Sequence, residues 1–182
     1  SGGLVGSEMC IRDSKLSDLL KIKPNLKFLF RQQSKTLRDS QSYNVIAEIK
    51  GSEFPEEVIL VGGHLDSWDI GDGAHDDGAG VVHSMDLLNI FNKISYKPKR
   101  TIRVVLFMNE ENGGRGSNKY KEIAERDGID HIFAIESDAG GFRPLGFSFT
   151  CSDSNFLKIL EWKKFFAPYY VCLLYTSDAA DE

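Results

Sequence analysis

Cysteine is scarce in this sequence, and its few occurrences show no pairing that would build a site. Three are present among 182 residues, without a CxxC pair and without zinc-finger spacing. A chain of this length with so few cysteines is not expected to depend on a disulfide framework. Cys151 has no neighbour that resembles a catalytic base, so a structural role is favoured over a nucleophilic one.

Long apolar runs and an excess of positive charge are also missing. No apolar stretch reaches the roughly 18 residues that a membrane-spanning helix needs. The first residues lack the charged start and apolar stretch of a signal peptide. The formal net charge is −5, whereas nucleic-acid binding favours a basic face. We therefore expect no membrane span and no nucleic-acid partner, and the oligomeric state stays open.

Strand-like and helix-like segments alternate through the middle of the chain. Three apolar runs are typical of strands buried on both faces, at residues 58–61, 102–108 and 132–135. Three segments are predicted to be helical, at residues 78–92, 116–126 and 154–166. Residues 43–50 form an early strand that is expected to add an antiparallel edge. The pattern predicts an α/β fold with three α/β/α layers and a mixed, mostly parallel central sheet.

Each of the three buried strands is followed directly by side chains that can bind metal. His64 and Asp66 follow the first strand, Glu110 and Glu111 the second, and Asp138 the third. Sites of open α/β sheets lie just beyond the carboxyl ends of the strands, so these side chains can converge. Imidazole and carboxylate groups are ligands that zinc takes from proteins. The agreement between strand pattern and residue type therefore indicates a metal site.

Two pairs of adjacent carboxylates could divide the work of such a site. Asp76 and Asp77 stand among small residues in the loop 73–80, where one carboxylate could reach between two metal ions. Of Glu110 and Glu111, one could bind metal while the other stays free as general base. Asp77 also has a plainer interpretation as a turn or helix-cap residue.

Asp66 stands two residues after His64, where its side chain could accept a hydrogen bond and fix the imidazole tautomer. Taken alone, His64 could equally be a core histidine. Together with the other strand-end groups, metal binding is the favoured interpretation for His64 and for Asp76.

Four motifs in this order resemble those of the co-catalytic two-zinc aminopeptidases. They are GGHLDSWD at 62–69, GAHDDGAG at 73–80, NEE at 109–111 and ESDAGG at 136–141. The likeness covers roughly residues 43–149 and is greatest to the branch that contains carboxypeptidase Q. Four motifs at this spacing are far more specific than a lone histidine or glutamate pair.

The resemblance implies a ligand set for two zinc ions. His64 and Asp138 would bind one ion, Asp76 would bridge both, and Glu111 would bind the second. The family's fifth ligand is a histidine farther downstream, and no histidine follows His131 here. We therefore expect two Zn2+ in the intact enzyme, with one of the two sites incomplete in this chain.

The same resemblance implies the chemistry. Glu110 would act as general base and then as proton donor, and Asp66 would support His64. The bond between Asp76 and Asp77 is expected to be cis. The substrate would be a short peptide held by a terminal group, with aminopeptidase and dipeptidase action both open. The resemblance alone implies a secreted or periplasmic location.

The two ends of the chain look foreign to the rest. Residues 1–14 and 171–182 resemble translated adapter sequence, and we expect them to be non-native flanks. The zinc peptidase domain is then expected at residues 15–170, partial and truncated at its C-terminus.

Two other functions stay open at this point. A non-catalytic binding domain of the same fold, similar to the transferrin receptor ectodomain, would hold no metal. A single-zinc enzyme similar to glutaminyl cyclase would hold one ion. Every ligand position that the chain covers carries a suitable residue, which favours the peptidase. A count of bound metal ions separates the three hypotheses.

Overall fold

The structure is a computed structural model that describes residues 17–25, 27, 31, 33, 35, 37–68, 71–138 and 140–176. The chain forms two compact units, Ser1–Gly141 and Phe142–Glu182. A helical stretch at residues 17–22 precedes the main elements of the first unit. These are β1 (Val45–Ile49), β2 (Phe54–His64), α1 (Gly78–Lys93), β3 (Arg100–Phe107), α2 (Arg115–Asp127) and β4 (Asp130–Glu136). Within the described residues, no helix is both long and apolar enough to cross a membrane.

The first unit is built around a mixed sheet, which in its described part has four strands in the order β1–β3–β2–β4. β2 runs parallel to both β3 and β4, and β1 pairs with β3 in the antiparallel direction. The predicted mostly parallel sheet with an antiparallel edge is confirmed. His64 lies opposite Phe107 and Gly62 opposite Glu136, so the three parallel strands end at nearly the same level.

Helices cover both faces of this sheet. Gly62 and Gly63 are neighbours in β2 and therefore face opposite sides. Gly63 lies against α1, because a Cβ there would come 3.0 Å from the backbone nitrogen of Val81. On the opposite face, β2 and β3 pack with α2 in a buried apolar cluster of Leu60, Val105, Phe107, Tyr120 and Ala124. This arrangement gives the three α/β/α layers that the sequence predicts.

The glycines around α2 set both of its ends. Gly114 is the N-cap residue and Gly128 the C-cap residue, each with φ in the left-handed region, at 60° and 64°. Glycine adopts this conformation without a Cβ penalty, so Gly128 stops the helix as expected. Ser117 is not the cap residue, since its hydroxyl donates to the carbonyl of Gly114 from inside the helix.

The second unit contains two short parallel strands and the helices between them. Its elements are β5 (Gly146–Phe149), α3 (Asp153–Leu160), α4 (Lys163–Phe166), a 3-10 turn (Ala167–Tyr169) and β6 (Cys172–Tyr175). The single helix predicted at 154–166 is wrong. The backbone N–H groups of Glu161 and Trp162 bond to carbonyls three residues back, and this tighter turn ends α3 before α4 begins. β6 lies in the segment 171–182, whose assignment as a non-native flank stays a prediction.

A hydrogen-bonded network of polar side chains crosses the sheet face beneath α2. Arg103 Nε donates to Glu48 at 2.9 Å, and Arg103 Nη1 donates to the Tyr120 hydroxyl at 3.1 Å. The same hydroxyl lies 2.8 Å from Nε2 of His131. His131 pairs opposite Val58, near the start of β4, which is the end of the strand away from the metal-type residues. His131 therefore has a structural role.

We expect Tyr120→Phe to lower the free energy of unfolding by about 1 to 2 kcal/mol. The ring keeps its edge-on packing against Phe107, at 5.9 Å between centroids, but Arg103 and His131 lose their shared partner. Urea unfolding measures the loss. The matched control is Tyr96→Phe, which removes a hydroxyl from an exposed ring. Equal stability of the wild type and the Tyr120 variant would show that the hydroxyl contributes nothing.

Candidate metal centre

Side chains that follow β2, β3 and β4 meet at one edge of the sheet. His64 Nε2 lies 3.1 Å from Asp76 Oδ1, 3.0 Å from Asp138 Oδ1 and 4.0 Å from Glu110 Oε2. Ligand atoms of His64, Asp76 and Glu111 all fall within 4.8 Å of one another. The structure thus brings together the five strand-end and loop residues for which the sequence analysis assigns metal or base roles. Those roles themselves remain predictions.

His64 is oriented by the backbone of Asp66, and the prediction that the Asp66 carboxylate accepts its hydrogen bond is wrong. Nδ1 lies 2.9 Å from the Asp66 carbonyl oxygen, whereas the nearest carboxylate oxygen is 3.8 Å away. A carbonyl oxygen can only accept, so Nδ1 carries the proton in this contact. Only in the neutral form of the imidazole is Nε2 unprotonated, and it is then the nitrogen that faces Asp76 and Asp138.

The carboxylate of Asp66 has a different task, which is why it does not reach the imidazole. Its two oxygens accept hydrogen bonds from the backbone N–H groups of Glu110, at 3.0 Å, and Glu111, at 3.2 Å. Hydrogen bonds to an ionised acceptor are stronger than those between neutral groups. Asp66 therefore connects the loop after β2 to the loop after β3, through its carbonyl on one side and its carboxylate on the other.

Asp77 acts as a helix cap. Oδ1 accepts from the Gly80 N–H at 2.9 Å and Oδ2 from the His64 N–H at 2.8 Å. Burial raises the pKa of this carboxyl, although both hydrogen bonds oppose the shift. Asp77 lies close enough to His64 and Asp138 to complete a metal-type group. Both of its oxygens already serve backbone donors, which supports the cap. The Asp76–Asp77 peptide bond is cis.

The surroundings of the Glu111 carboxylate show whether these residues can accommodate a cation. Its Oε1 is buried and has no hydrogen-bond partner in the part of the chain that the structure describes. Burial, followed by repulsion from Asp76, raises the pKa of this carboxyl. A buried carboxylate oxygen without a partner is costly, and a bound cation removes that cost. One imidazole and several carboxylates form a donor set that zinc accepts, so the residues fit the metal.

Two of the three remaining histidines of the first unit, His131 and His75, have other contacts. His131 is bound to Tyr120, far along β4 from this edge. The His75 ring lies against Gly140, where it leaves no room for a side chain, and Nδ1 accepts from the Gly141 N–H at 3.4 Å. With these contacts, neither His75 nor His131 is a ligand of the centre.

The pKa of His64 in the metal-free protein is raised to about 9. Burial alone lowers this pKa, but the hydrogen bond to the Asp66 carbonyl and the hydrogen bond and charge of Asp138 outweigh it. Nε2 therefore carries a proton at neutral pH, and zinc must displace that proton in order to bind.

We expect the apparent zinc affinity to rise roughly tenfold per pH unit through the neutral range, because one proton leaves for each ion bound. The rise should level off above about 9. Competition with a chromogenic chelator measures this dependence. An affinity that does not change with pH would show that Nε2 is neutral before the metal binds.

The free energy of unfolding of the metal-free protein should fall as the pH rises, whereas the zinc affinity rises with pH. A raised folded-state pKa contributes stability that is fully present below the ordinary histidine value of about 6.5. This contribution is lost as the pH rises through about 9. Urea unfolding in the presence of a chelator measures the loss, and stability that increases over this range would contradict the assignment.

The chain is similar to known peptidases. Carboxypeptidase Q of Bos taurus is 46% identical over 120 residues, which cover 66% of this chain and 25% of that protein. Probable leucine aminopeptidase 2 of Aspergillus oryzae is 32% identical over 122 residues, which cover 67% of this chain and 21% of that protein. The crystal structure of a Peptidase M28 precursor from Shewanella amazonensis is similar with a TM-score of 0.68 at 40% identity, over 74% of this chain and 30% of that one.

The chain spans about a quarter of the length of the curated relatives it matches. Residues 44–169 match the model of Peptidase family M28. The matched range is more than half of the chain and contains every residue of the candidate metal centre. The resemblance to the branch of carboxypeptidase Q is confirmed by these similarities. The chain belongs to peptidase family M28.

Proposed function

We propose that this protein is a zinc-dependent exopeptidase that hydrolyses short peptides near a chain terminus. Family M28 is zinc-dependent in general. The observation that carries the proposal is the meeting of one buried imidazole with four carboxylates at a single sheet edge, one of them with a partnerless buried oxygen. Such a group is costly without a cation, and a cation at that point could polarise a peptide carbonyl and lower the pKa of a water molecule.

The ligand positions are unequal in this proposal. His64, Asp76 and Asp138 would hold one zinc ion, and Asp76 and Glu111 would hold a second. Zinc bound there would polarise the scissile carbonyl and lower the pKa of a water molecule. The position with the imidazole should bind more tightly, because its donors include both nitrogen and oxygen and number three.

Glu110 is the residue that we assign as general base. Its carboxylate is about half exposed and lies 4.0 Å from His64 Nε2, beside the ligands but free of a close partner among them. There it can accept a proton from the attacking water and deliver it to the leaving amine. The Asp66 carboxylate fixes the backbone N–H of Glu110 at 3.0 Å, which holds the base in place.

Peptides with blocked ends test the proposal and define the specificity. One tripeptide and one dipeptide are assayed with the intact enzyme, each free, N-acetylated and C-amidated, with zinc, after chelation, and after zinc is restored. We expect at least one free peptide to be cut, the activity to disappear on chelation and to return with zinc. Loss through acetylation indicates an aminopeptidase, loss through amidation a carboxypeptidase, and a requirement for a free dipeptide a dipeptidase. Cleavage that survives chelation, or zinc-loaded intact enzyme that cuts neither peptide, would overturn the proposal.

A further inference from the structure

The loop that carries Glu110 and Glu111 is closed at its base by a side chain from outside it. Asn44 immediately precedes β1 and is partly buried. Its Nδ2 donates to the Gly116 carbonyl at 2.8 Å, and its Oδ1 accepts from the Met108 N–H at 3.0 Å. The two halves of one amide thus bind the residue before the loop and a residue just after it.

Gly116 completes this closure with its own backbone. Its N–H donates to the Met108 carbonyl at 2.9 Å, so Met108, Gly116 and Asn44 form a closed set of three hydrogen bonds. A Cβ at Gly116 would lie 2.7 Å from the Met108 nitrogen, closer than a side chain can be placed. The close approach of the two backbones therefore needs glycine at this position and an amide at Asn44.

The two glutamates depend on this backbone for their positions, because their side chains have few contacts of their own. Glu111 Oε1 has no partner in the described structure, and the Glu110 carboxylate is about half exposed. Asn109, directly before them, has a φ of 67°, a conformation that residues other than glycine rarely adopt. Such a conformation persists only when the surroundings hold it. Asp66, which follows β2, binds the N–H groups of Glu110 and Glu111 in the loop. Asn44 binds Met108 and Gly116 at the two ends of the loop.

We propose that Asn44 is a positioning residue for the reaction. Its amide sets the separation between the end of β3 and the start of α2. Through that separation it sets where the Glu110 and Glu111 carboxylates stand relative to His64. Asn44 acts through the backbone of the loop and has no contact with the ligand atoms. The inference rests on the proposed function, since it concerns the base and one ligand of that centre.

The first test is amide hydrogen exchange in Asn44→Asp. Aspartate keeps the size and the oxygen that accepts from Met108, but it loses the donor to Gly116 and faces a carbonyl with a charge. We expect the N–H groups of Glu110 and Glu111 to exchange at least ~10-fold faster, as a locally opened loop would. The control, Asn118→Asp, makes the same change at an exposed site on α2 and should leave both rates unchanged. Unchanged exchange in the Asn44 variant overturns the proposal.

The second test separates positioning from a merely structural role. In the intact enzyme we expect Asn44→Asp to lower kcat by up to ~10²-fold, because a displacement of about 1 Å at a catalytic group can cost that much. KM should change far less, since the base acts in the transition state. A lower melting temperature with kcat intact would show that Asn44 is only structural. If Asn44→Asp does not fold, Asn44→Ser, which is uncharged, replaces it in both tests.

The two proposals fail in different ways. If the intact wild-type enzyme, loaded with zinc, cuts neither test peptide, the proposed function is wrong. The exchange rates of Glu110 and Glu111 still decide whether Asn44 holds the loop. If the intact wild-type enzyme is active and Asn44→Asp equals it in exchange or in kcat, only the role of Asn44 is wrong.

Discussion

In the intact enzyme, Glu110→Gln is expected to remove nearly all turnover while the zinc content stays the same. Glutamine has the shape of glutamate but cannot accept a proton, and loss of a general base typically costs ~10²–10⁴-fold in rate. The backbone N–H that donates to Asp66 is unaffected by this change, so the loop should keep its place. Single-turnover kinetics with metal analysis of the same sample measures both quantities.

The matched control for Glu110→Gln is Glu56→Gln. It makes the same change in charge at an exposed residue of β2 and should be fully active. If Glu110→Gln keeps most of its activity, Glu110 is not the base. If it loses a zinc ion instead, the roles of Glu110 and Glu111 are reversed.

His64→Ala is expected to abolish tight zinc binding, with a loss of affinity greater than ~10²-fold. Replacing residues that merely orient a ligand already costs ~10–100-fold, so removing a ligand should cost more. His64 is 1% exposed and supplies the imidazole that faces Asp76 and Asp138. Without it, those two carboxylates would have to hold the ion with oxygen donors alone.

The stabilisation of the folded protein by zinc measures the loss of zinc binding in His64→Ala. A ligand at about 1,000 times its Kd stabilises the folded state by about 4 kcal/mol. Wild-type protein should show such a gain in urea unfolding with zinc, and His64→Ala should show almost none. The exposed His83, on α1, provides the control: His83→Ala should keep the gain. A full zinc response in the His64 variant would mean that the ion binds elsewhere.

The convergence at the sheet edge could be predicted from sequence because it follows from strand direction. Parallel strands end together, so residues placed directly after each strand must meet, as His64 and Asp138 do at 3.0 Å. Residue type then indicates the chemistry, since imidazole and carboxylate together favour zinc. The same reasoning yields the layers of the fold, which need only the alternation of strands and helices.

The finer contacts could not be predicted, because they depend on the paths of loops. The spacing of Asp66 from His64 allows either its carbonyl or its carboxylate to reach the imidazole, and only the turn after β2 makes it the carbonyl. Asn44 bonds to Gly116 although 72 positions separate them in the sequence, and no local pattern connects these positions. The break at Trp162 similarly comes from one tighter turn inside an otherwise helical sequence.

Anomalous diffraction at the zinc edge, from crystals of this protein grown with zinc, locates the bound ion. We expect the strongest peak at ~2.0–2.2 Å from His64 Nε2 and from carboxylate oxygens of Asp76 and Asp138. The Glu110 carboxylate should lie next to this peak without binding the ion. A strongest peak remote from His64 would contradict the account.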